Sequence, residues 1–334
     1  MDRRAFLRSA GLGLAVVGGG LATWRLRGDP DPRFWDERAF PPPGEPRVAV
    51  LNVPSYDGDL EGSLLDGLRA IAVDVRGASV VLKPNLVEYD AGTSVNTDPR
   101  LVAAAVLAFR RLGAGAVTVA EGPGHRRDTQ FVLERSGLGD ALRDVESPFV
   151  DLNVDEVRQV RLASWYTDLG ELWLPRSILD ADVVVSMPKM KMHHWAGVTL
   201  SLKNCFGCVP GRVYGWPKNA LHWAGVEQSI LDVAAAVQPA IAIVDGVTAM
   251  QGNGPITGTP VQVGVVVVAD DPVAADVVGA RLMGVDPEKV PHLMEAGRFL
   301  GQSDLERIVD VGEDHSRFIT PLEPAPGFAN ILAT

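Results

Sequence analysis

Cysteine is scarce in this chain, and the scarcity limits its chemistry. Cys205 and Cys208 are the two cysteines among 334 residues. Two thiols exclude a disulfide framework and a four-cysteine iron–sulfur cluster built within one chain, so no such cluster is expected. The Cys-x-x-Cys spacing leaves three interpretations open: two small apolar residues that pack a loop, a redox disulfide, and a pair of ligands in a mixed metal site.

Positive charge is scarce beyond the N-terminus. The first 28 residues carry five arginines and one aspartate, a net charge of +4, whereas the whole chain has a formal charge of −11. Residues 29–334 therefore carry −15. A body this acidic argues against nucleic acid as a partner, because the phosphate backbone selects basic surfaces.

A long hydrophobic run is also missing. The apolar, glycine-rich stretch of residues 10–22 is shorter than the roughly 20 residues that a transmembrane helix needs. It follows the pair Arg3-Arg4, with Phe6-Leu7 and a further basic residue behind the pair. This order is typical of a twin-arginine export signal, which would make the export machinery a partner. No clean small-x-small cleavage site precedes the polar stretch, so an uncleaved membrane anchor stays open as the alternative.

These patterns divide the chain into four predicted parts. Residues 1–28 are the twin-arginine signal or N-terminal anchor, and residues 29–46 are a proline-rich linker. Residues 47–320 form one α/β domain, with two subdomains as an alternative, and residues 321–334 form a C-terminal tail. We expect an exported, periplasmic or extracytoplasmic protein that touches the membrane only through its N-terminal segment.

Short apolar runs alternate with helical patterns along the predicted domain. This alternation predicts an α/β fold with a mostly parallel, mixed sheet covered by helices on both faces. The predicted strands are 47–53, 79–86, 116–121, 182–187, 240–245 and 261–269. The predicted helices are 62–73, 98–112, 129–136, 220–237, 272–283 and 290–296.

Polar residues follow several predicted strands. In an open parallel sheet the carboxyl ends of the strands lie along one edge, where ligands bind. Polar residues begin most loops, so their position alone does not indicate a binding site. Lysines beside glycine and proline in an acidic protein, however, indicate an anion site. The predicted loop residues of this site are Lys83 and Asn85, Lys189 and Lys191, and Lys203 and Asn204.

Glycine loops add a second element to the predicted anion site. Gly252 and Gly254 are expected to expose backbone N–H groups to the ligand. The chain has neither a Walker loop nor a GxGxxG motif, so no nucleotide can be named. Two kinds of cofactor stay open, a metal ion and an anionic molecule.

Acid–base candidates lie at the same predicted edge. Glu121, His193 and Asp245 each end or follow a strand and are predicted to move protons. His193 and His194 are adjacent and form a weak metal candidate, alone or with Cys205 and Cys208. An acid–base role, or hydrogen bonding to an anion, is the alternative for the histidines.

A carboxylate lies inside a predicted apolar helix. Asp276 is one turn into the helix that starts after Asp270-Asp271. It is expected to be exposed or to pair with a cation such as one of the lysines, which makes it a ligand-site candidate.

Several motifs occur in a fixed order along the chain. They are Lys83-Pro84-Asn85, Pro188–His193, Ser201–Asn204 with Phe206-Gly207 and Pro210-Gly211, Asp245-Gly246, Gly252–Pro255 with Gly258, and Asp271–Asp276. Through this ordered set the chain resembles the domain-of-unknown-function 362 family from about residue 47 to 312. The resemblance implies nine site candidates without giving any of them a role, namely Lys83, Asn85, Lys189, Lys191, His193, Lys203, Asn204, Asp245 and Asp276.

The resemblance also bears on redox function. Some relatives carry a ferredoxin-like iron–sulfur segment, which implies association with redox chemistry, but this sequence has no such cysteine run. The two cysteine positions are usually apolar in the family, which favours packing or a disulfide specific to this lineage.

Three functions follow from the sequence. The first is an enzyme that acts on an anionic small molecule. The second is a redox or metal-associated accessory protein that works with a redox partner. The third is a binding protein that retains its ligand unchanged.

Overall fold

The computed structural model describes residues 32–124, 128–216 and 218–333. The predicted export signal lies outside these residues. A ten-stranded mixed sheet runs through the described chain, beside one two-stranded hairpin. The sheet contains β1 (Arg47–Asn52), β2 (Ser79–Pro84), β3 (Ala116–Glu121), β4 (Phe149–Asp151), β7 (Val183–Met187), β8 (Lys189–His193), β9 (Gly197–Thr199), β10 (Ile241–Gln251), β11 (Thr259–Ala269) and β12 (Val309–Asp310), and the hairpin contains β5 (Val157–Arg161) and β6 (Glu171–Pro175).

Parallel pairing dominates the sheet. The strand order is β12-β1-β11-β10-β7-β2-β3-β4, with β8 paired to β10 and β9 paired to β8. The neighbours from β10 to β4 are all parallel, whereas β11 is antiparallel to both β1 and β10. The predicted mostly parallel, mixed α/β sheet is confirmed.

Helices cover both faces of the sheet. Valines of β11 alternate between two apolar layers, so that Val267 packs in one layer and Val268 in the other. The first layer contains the helices Val226–Val237 and Pro272–Leu282, and the second contains the helices Leu60–Ala70 and Pro99–Arg111. The described helices are α1 (Leu60–Ala70), α2 (Pro99–Arg111), α3 (Thr129–Arg135), α4 (Leu138–Asp144), α5 (Arg176–Leu179), α6 (Ser201–Asn204), α7 (Gly211–Tyr214), α8 (Asn219–Trp223), α9 (Val226–Val237), α10 (Pro272–Leu282) and α11 (Pro291–Ala296).

The segment after β7 differs from the prediction of a loop. Lys189–His193 is a fully buried strand, because it pairs with the extension of β10 beyond the predicted end of that strand. Its alternating sequence places Met190 and Met192 in the apolar core and sends the two lysines and the histidine to the opposite face. The predicted loop positions of Lys83 and Lys203 are also wrong, since they lie in β2 and α6.

The predicted helix 220–237 is interrupted. Gly225 has a φ of 105°, a conformation that L side chains rarely adopt, and it separates α8 from α9. The break leaves α8 as a short helix of five residues.

Both terminal segments contact the domain. Trp35, in the predicted linker, stacks on Phe299 with ring centroids 4.8 Å apart, and Phe40 meets the same ring edge-on. Leu322 and Ile331, in the predicted tail, are buried in the core. Within the described residues, no helix has the length and hydrophobicity to cross a membrane.

Candidate functional site

A cavity of about 940 Å³ opens beside the carboxyl ends of β2 and β3. It lies where the parallel sheet was expected to bind a ligand. Seven residues predicted from the sequence line it, namely Asn85, Glu121, Lys191, His193, His194, Lys203 and Asn204.

A buried ion pair forms the floor of the cavity. The amine of Lys83 contacts the carboxylate of Glu121, and both side chains are at most 2% exposed. Glu121 also accepts a hydrogen bond from the backbone N–H of Gly122 at 2.8 Å. A Cβ on Gly207 would collide with Glu121 and Lys83, so glycine is required there for the backbone to pass over the pair.

Two asparagines continue the polar floor. Asn204 Oδ1 accepts hydrogen bonds from Lys83 Nζ at 3.1 Å and Asn85 Nδ2 at 3.2 Å. Asn85 Oδ1 in turn accepts one from Lys191 Nζ at 2.7 Å, and the carbonyl of Val95 accepts another at 2.8 Å. Burial, followed by the charge of Lys189, lowers the pKa of Lys191 well below its usual value.

Lys203 lines the cavity from α6 and has no anionic partner among the described residues. Its Nζ lies 3.7 Å from the centre of the Phe206 ring. Burial and the charges of Lys218 and Lys83 lower the pKa of Lys203 to about 7. At neutral pH this amine is therefore a mixture of charged and neutral forms.

Asp276 holds α6 rather than lining the cavity. Its carboxylate accepts hydrogen bonds from the backbone N–H groups of Ser201 at 2.6 Å and Leu202 at 2.9 Å. These two residues begin the helix that carries Lys203. Burial raises the pKa of Asp276 to about 7, against the stabilising effect of the two N–H groups on its charged form. The expected pairing of Asp276 with a lysine, or its exposure, is therefore wrong.

Lys218 is a cavity residue that the sequence interpretation missed. Its Nζ donates to the carbonyls of Gly122 at 2.6 Å and Phe206 at 3.2 Å, and burial lowers its pKa to about 8. Lysine usage could have revealed it. Only six of the 31 basic Lys and Arg residues are lysines. Three of the six line this cavity and Lys83 pairs with Glu121 at its floor, whereas Lys289 is partly exposed at the surface.

The cavity histidines have defined tautomers. His193 Nδ1 accepts hydrogen bonds from the N–H groups of Trp195 at 3.0 Å and Ala196 at 3.2 Å, which assigns its proton to Nε2. Burial lowers the pKa of His193. In contrast, Nδ1 of His194 contacts the carbonyl of Gly254 at 2.5 Å, and Nδ1 of His222 contacts that of Lys218 at 3.3 Å. Because a carbonyl oxygen only accepts, these two rings donate from Nδ1.

Metal candidates do not assemble within the described residues. No group of three or more His, Cys, Asp or Glu side chains there is placed to hold a metal ion. Cys205 and Cys208 are free, buried in the core and not linked by a disulfide. Burial raises the pKa of both thiols, which disfavours the thiolates that redox or metal chemistry uses.

Asp245 and Lys189 form a separate buried cluster away from the cavity. Lys189 Nζ donates to Asp245 Oδ2 at 2.6 Å and to the Tyr56 hydroxyl at 2.8 Å. Tyr56 donates to Asp245 Oδ1 at 2.7 Å, and the N–H of Asp98 donates to Oδ2 at 2.9 Å. These internal contacts occupy the carboxylate that was predicted to move protons.

The predicted glycine loop does not present N–H groups to a ligand. The N–H of Gly252 donates to the carbonyl of Glu323, and that of Gly254 donates to the carbonyl of Gly252, both at 2.8 Å. Because the two donors are already used, the prediction that they bind an anion is wrong. Neighbouring Asn253 and Pro255 line the cavity instead.

Comparison with known proteins places the chain among its relatives. A family described as "Domain of unknown function (DUF362)" matches residues 80–281. The chain belongs to the DUF362 family. A thylakoid-associated protein of Synechocystis sp. is 31% identical over 260 residues, which cover 74% of this chain and 77% of that protein. The family resemblance expected from the ordered motifs is confirmed.

Solved structures show weaker similarity. The lactate racemase apoprotein of Thermoanaerobacterium thermosaccharolyticum aligns with 75% of this chain at 10% identity and a TM-score of 0.47, and the match spans 59% of the racemase chain. A protein of Thermotoga maritima aligns with 63% of this chain at 14% identity and a TM-score of 0.39, across 54% of its own length.

Proposed function

We propose that this DUF362 protein is an enzyme that binds an anionic small molecule in the cavity and transfers a proton at the Lys203 side of it. The observation that carries the proposal is a charge imbalance. Lys203 and Lys218 bring positive charge to the cavity, whereas the lining carboxylate among the described residues, Glu121, is already paired with Lys83. A bound anion would supply the missing negative charge.

Unused polar groups point to the same cavity. Thr199 lines it, is 4% exposed, and its Oγ1 has no hydrogen-bond partner among the described residues. Buried hydroxyls are nearly always hydrogen-bonded, so a ligand atom is a fitting partner. His193 adds an N–H donor from Nε2 through its assigned tautomer.

The chemistry rests on the pKa values of two amines. A general base works best when its pKa is close to the working pH, and Lys203 has a pKa of about 7. The charged form of Lys203 binds the anion, and the fraction of the complex in which Lys203 is neutral takes a proton from the ligand. Lys218, with a pKa of about 8, stays mostly protonated at neutral pH. Its N–H groups donate to backbone carbonyls, so it attracts the negative group through its charge.

An anion screen tests binding first. We would measure thermal shifts of the full chain with phosphate, pyruvate and benzoate, and with neutral benzamide as the counterpart of benzoate. We expect stabilisation by at least one anion and none by benzamide. Lys203→Met and Lys218→Met should abolish the shift, whereas the surface control Lys289→Met should retain it. Unchanged shifts in both cavity variants would refute the proposal.

Proton transfer needs its own measurement. The anion that binds is incubated with the protein in deuterium oxide and followed by NMR. If a ligand C–H proton exchanges with the wild type and does not exchange with Lys203→Met, the result supports an enzyme. A ligand that binds through Lys203 and remains unexchanged would make the protein a binding protein instead.

We also propose export by the twin-arginine route, supported by Arg3-Arg4 with Phe6-Leu7. The full chain would be expressed in a bacterium that has this pathway, and the membrane, periplasmic and cytoplasmic fractions assayed. Lys substitution of both arginines should leave the protein in the cytoplasm. Equal export of the substituted chain would overturn the assignment.

A further inference from the structure

The cavity is far larger than a small anion. At about 30 Å³ for each water in the liquid, its 940 Å³ correspond to roughly 30 water molecules. Phosphate or a short carboxylate bound at Lys203 and Lys218 would fill a small part of this space. Cavities of this size usually enclose ligands with a sizeable apolar body.

One wall of the cavity is a connected row of rings. His193 stacks on His194 with centroids 5.1 Å apart and an interplanar angle of 23°. His194 meets Trp195 edge-on at 4.7 Å, and Trp195 meets His222 at 5.1 Å. His222 then lies 6.0 Å from Phe206, the ring beneath the amine of Lys203.

Two tryptophans on this lining are exposed to solvent. Trp195 is 54% exposed and Trp223 is 79% exposed. Single exposed apolar residues are ordinary, but two that line the same cavity form an apolar surface suited to a ligand. Leu86, Val87 and Ile256 add aliphatic lining.

We propose that the anionic ligand carries a planar aromatic body, which packs against Trp195 and Trp223 while its charged group reaches Lys203 and Lys218. This inference rests on the proposed function, because it takes the anion site as given and assigns the rest of the ligand. A planar ring fits better than an alkyl chain, since tryptophan and imidazole rings gain from offset-stacked or edge-to-face contact with another ring.

Matched probes test the charged group and the ring separately. The first probe is 8-anilino-1-naphthalenesulfonate, and N-phenyl-1-naphthylamine has the same rings without the sulfonate. Hexanesulfonate has the charge without a ring. Calorimetry with the full chain should give the tightest binding for the first probe, and weaker or no binding for the other two.

Substitutions of the two tryptophans test whether the aromatic wall of the cavity binds the ligand. Trp195→Leu and Trp223→Leu keep an apolar side chain but remove the ring, and each should weaken binding of the aromatic sulfonate about threefold to tenfold. Trp173→Leu is the control, because Trp173 is 39% exposed but does not line the cavity. Circular dichroism checks that each variant is folded.

The outcomes separate the two proposals. If Lys203→Met abolishes binding of both sulfonates and the tryptophan variants match the Trp173→Leu control, the anion site stands and the aromatic inference fails. Equal affinity for hexanesulfonate and the aromatic sulfonate also overturns the inference. If Lys203→Met leaves all binding unchanged, the proposed function itself fails.

Discussion

Lys203 Nζ lies 3.7 Å from the centre of the Phe206 ring and forms no ion pair or hydrogen bond with the residues that the structure describes. A ring face attracts a cation but compensates only part of the cost of desolvation. The other buried lysines have carboxylate, carbonyl or amide partners. Lys203 is therefore the lysine on which we base the proposed ligand site.

Removing this amine should stabilise the ligand-free protein. Lys203→Met keeps the aliphatic volume and removes a poorly compensated charge. We therefore expect the free energy of unfolding to rise by about 1 kcal/mol or more at about pH 6, since one unit of pKa shift corresponds to about 1.4 kcal/mol. Denaturant unfolding measures it. A loss of stability would mean that Lys203 serves the fold.

The pH dependence of this gain has a definite sign. The folded-state pKa of Lys203, about 7, is below the unfolded value, so the folded protein binds fewer protons between these two pKa values. The penalty from Lys203 is full below about pH 7 and declines as the pH rises toward the unfolded pKa. The advantage of Lys203→Met should therefore shrink between about pH 6 and pH 9.5. A constant difference across this range would contradict the shifted pKa.

Asp276 should act on binding through the position of α6. Asp276→Ala removes the acceptor for the N–H groups of Ser201 and Leu202, which should cost about 1 kcal/mol of stability, as for a lost helix cap. Anion affinity should fall as well, because Lys203 is carried by this helix. Asp271→Ala is the matched control, since Asp271 caps α10 through Val273 and Ala274 and does not line the cavity. If both variants lose stability and keep the same anion affinity, Asp276 has no positioning role.

Gly207→Ala should disrupt the floor of the cavity. The added methyl group would collide with Glu121 and Lys83, and overpacking of this kind costs about 1–3 kcal/mol. Thermal unfolding and the anion screen should both report the loss. Gly58→Ala is the control, because the nearest atom to its added Cβ is 3.7 Å away and no strain is expected. A Gly207→Ala protein that unfolds and binds like wild type would show that the contact is not constrained.

Much of the fold could be predicted from local patterns. The alternation of strands and helices predicted the mixed sheet. The predicted helix 98–112 corresponds to α2, which Asp98 caps ahead of Pro99. The strand Lys189–His193 was missed because its polar residues resemble a loop. Its period-2 pattern of lysine and methionine was the available signal, but only pairing with β10 makes that strand buried.

The candidate site was predictable in location but not in its partners. The rule for carboxyl ends of parallel strands brought Glu121 and Asn85 to one cavity. It could not show that Tyr56 and Lys189 donate hydrogen bonds to the carboxylate of Asp245, because Tyr56 is 189 residues away from Asp245 in sequence. Lys218 was missed since it follows no strand, and its conformation, with a φ of 65°, depends on the tertiary fold.

Proton uptake on anion binding tests the central claim most directly. Calorimetric titration of the full chain with the tightest-binding anion of the screen, at about pH 7.5 in two buffers of different ionisation enthalpy, counts the protons taken up. An anion beside Lys203 must raise its pKa from about 7, so we predict net proton uptake in the wild type and Lys289→Met, and neither binding nor proton uptake in Lys203→Met. Binding with no proton uptake, or with the same uptake in Lys203→Met, would contradict the assignment of this cavity as an anion site built on Lys203.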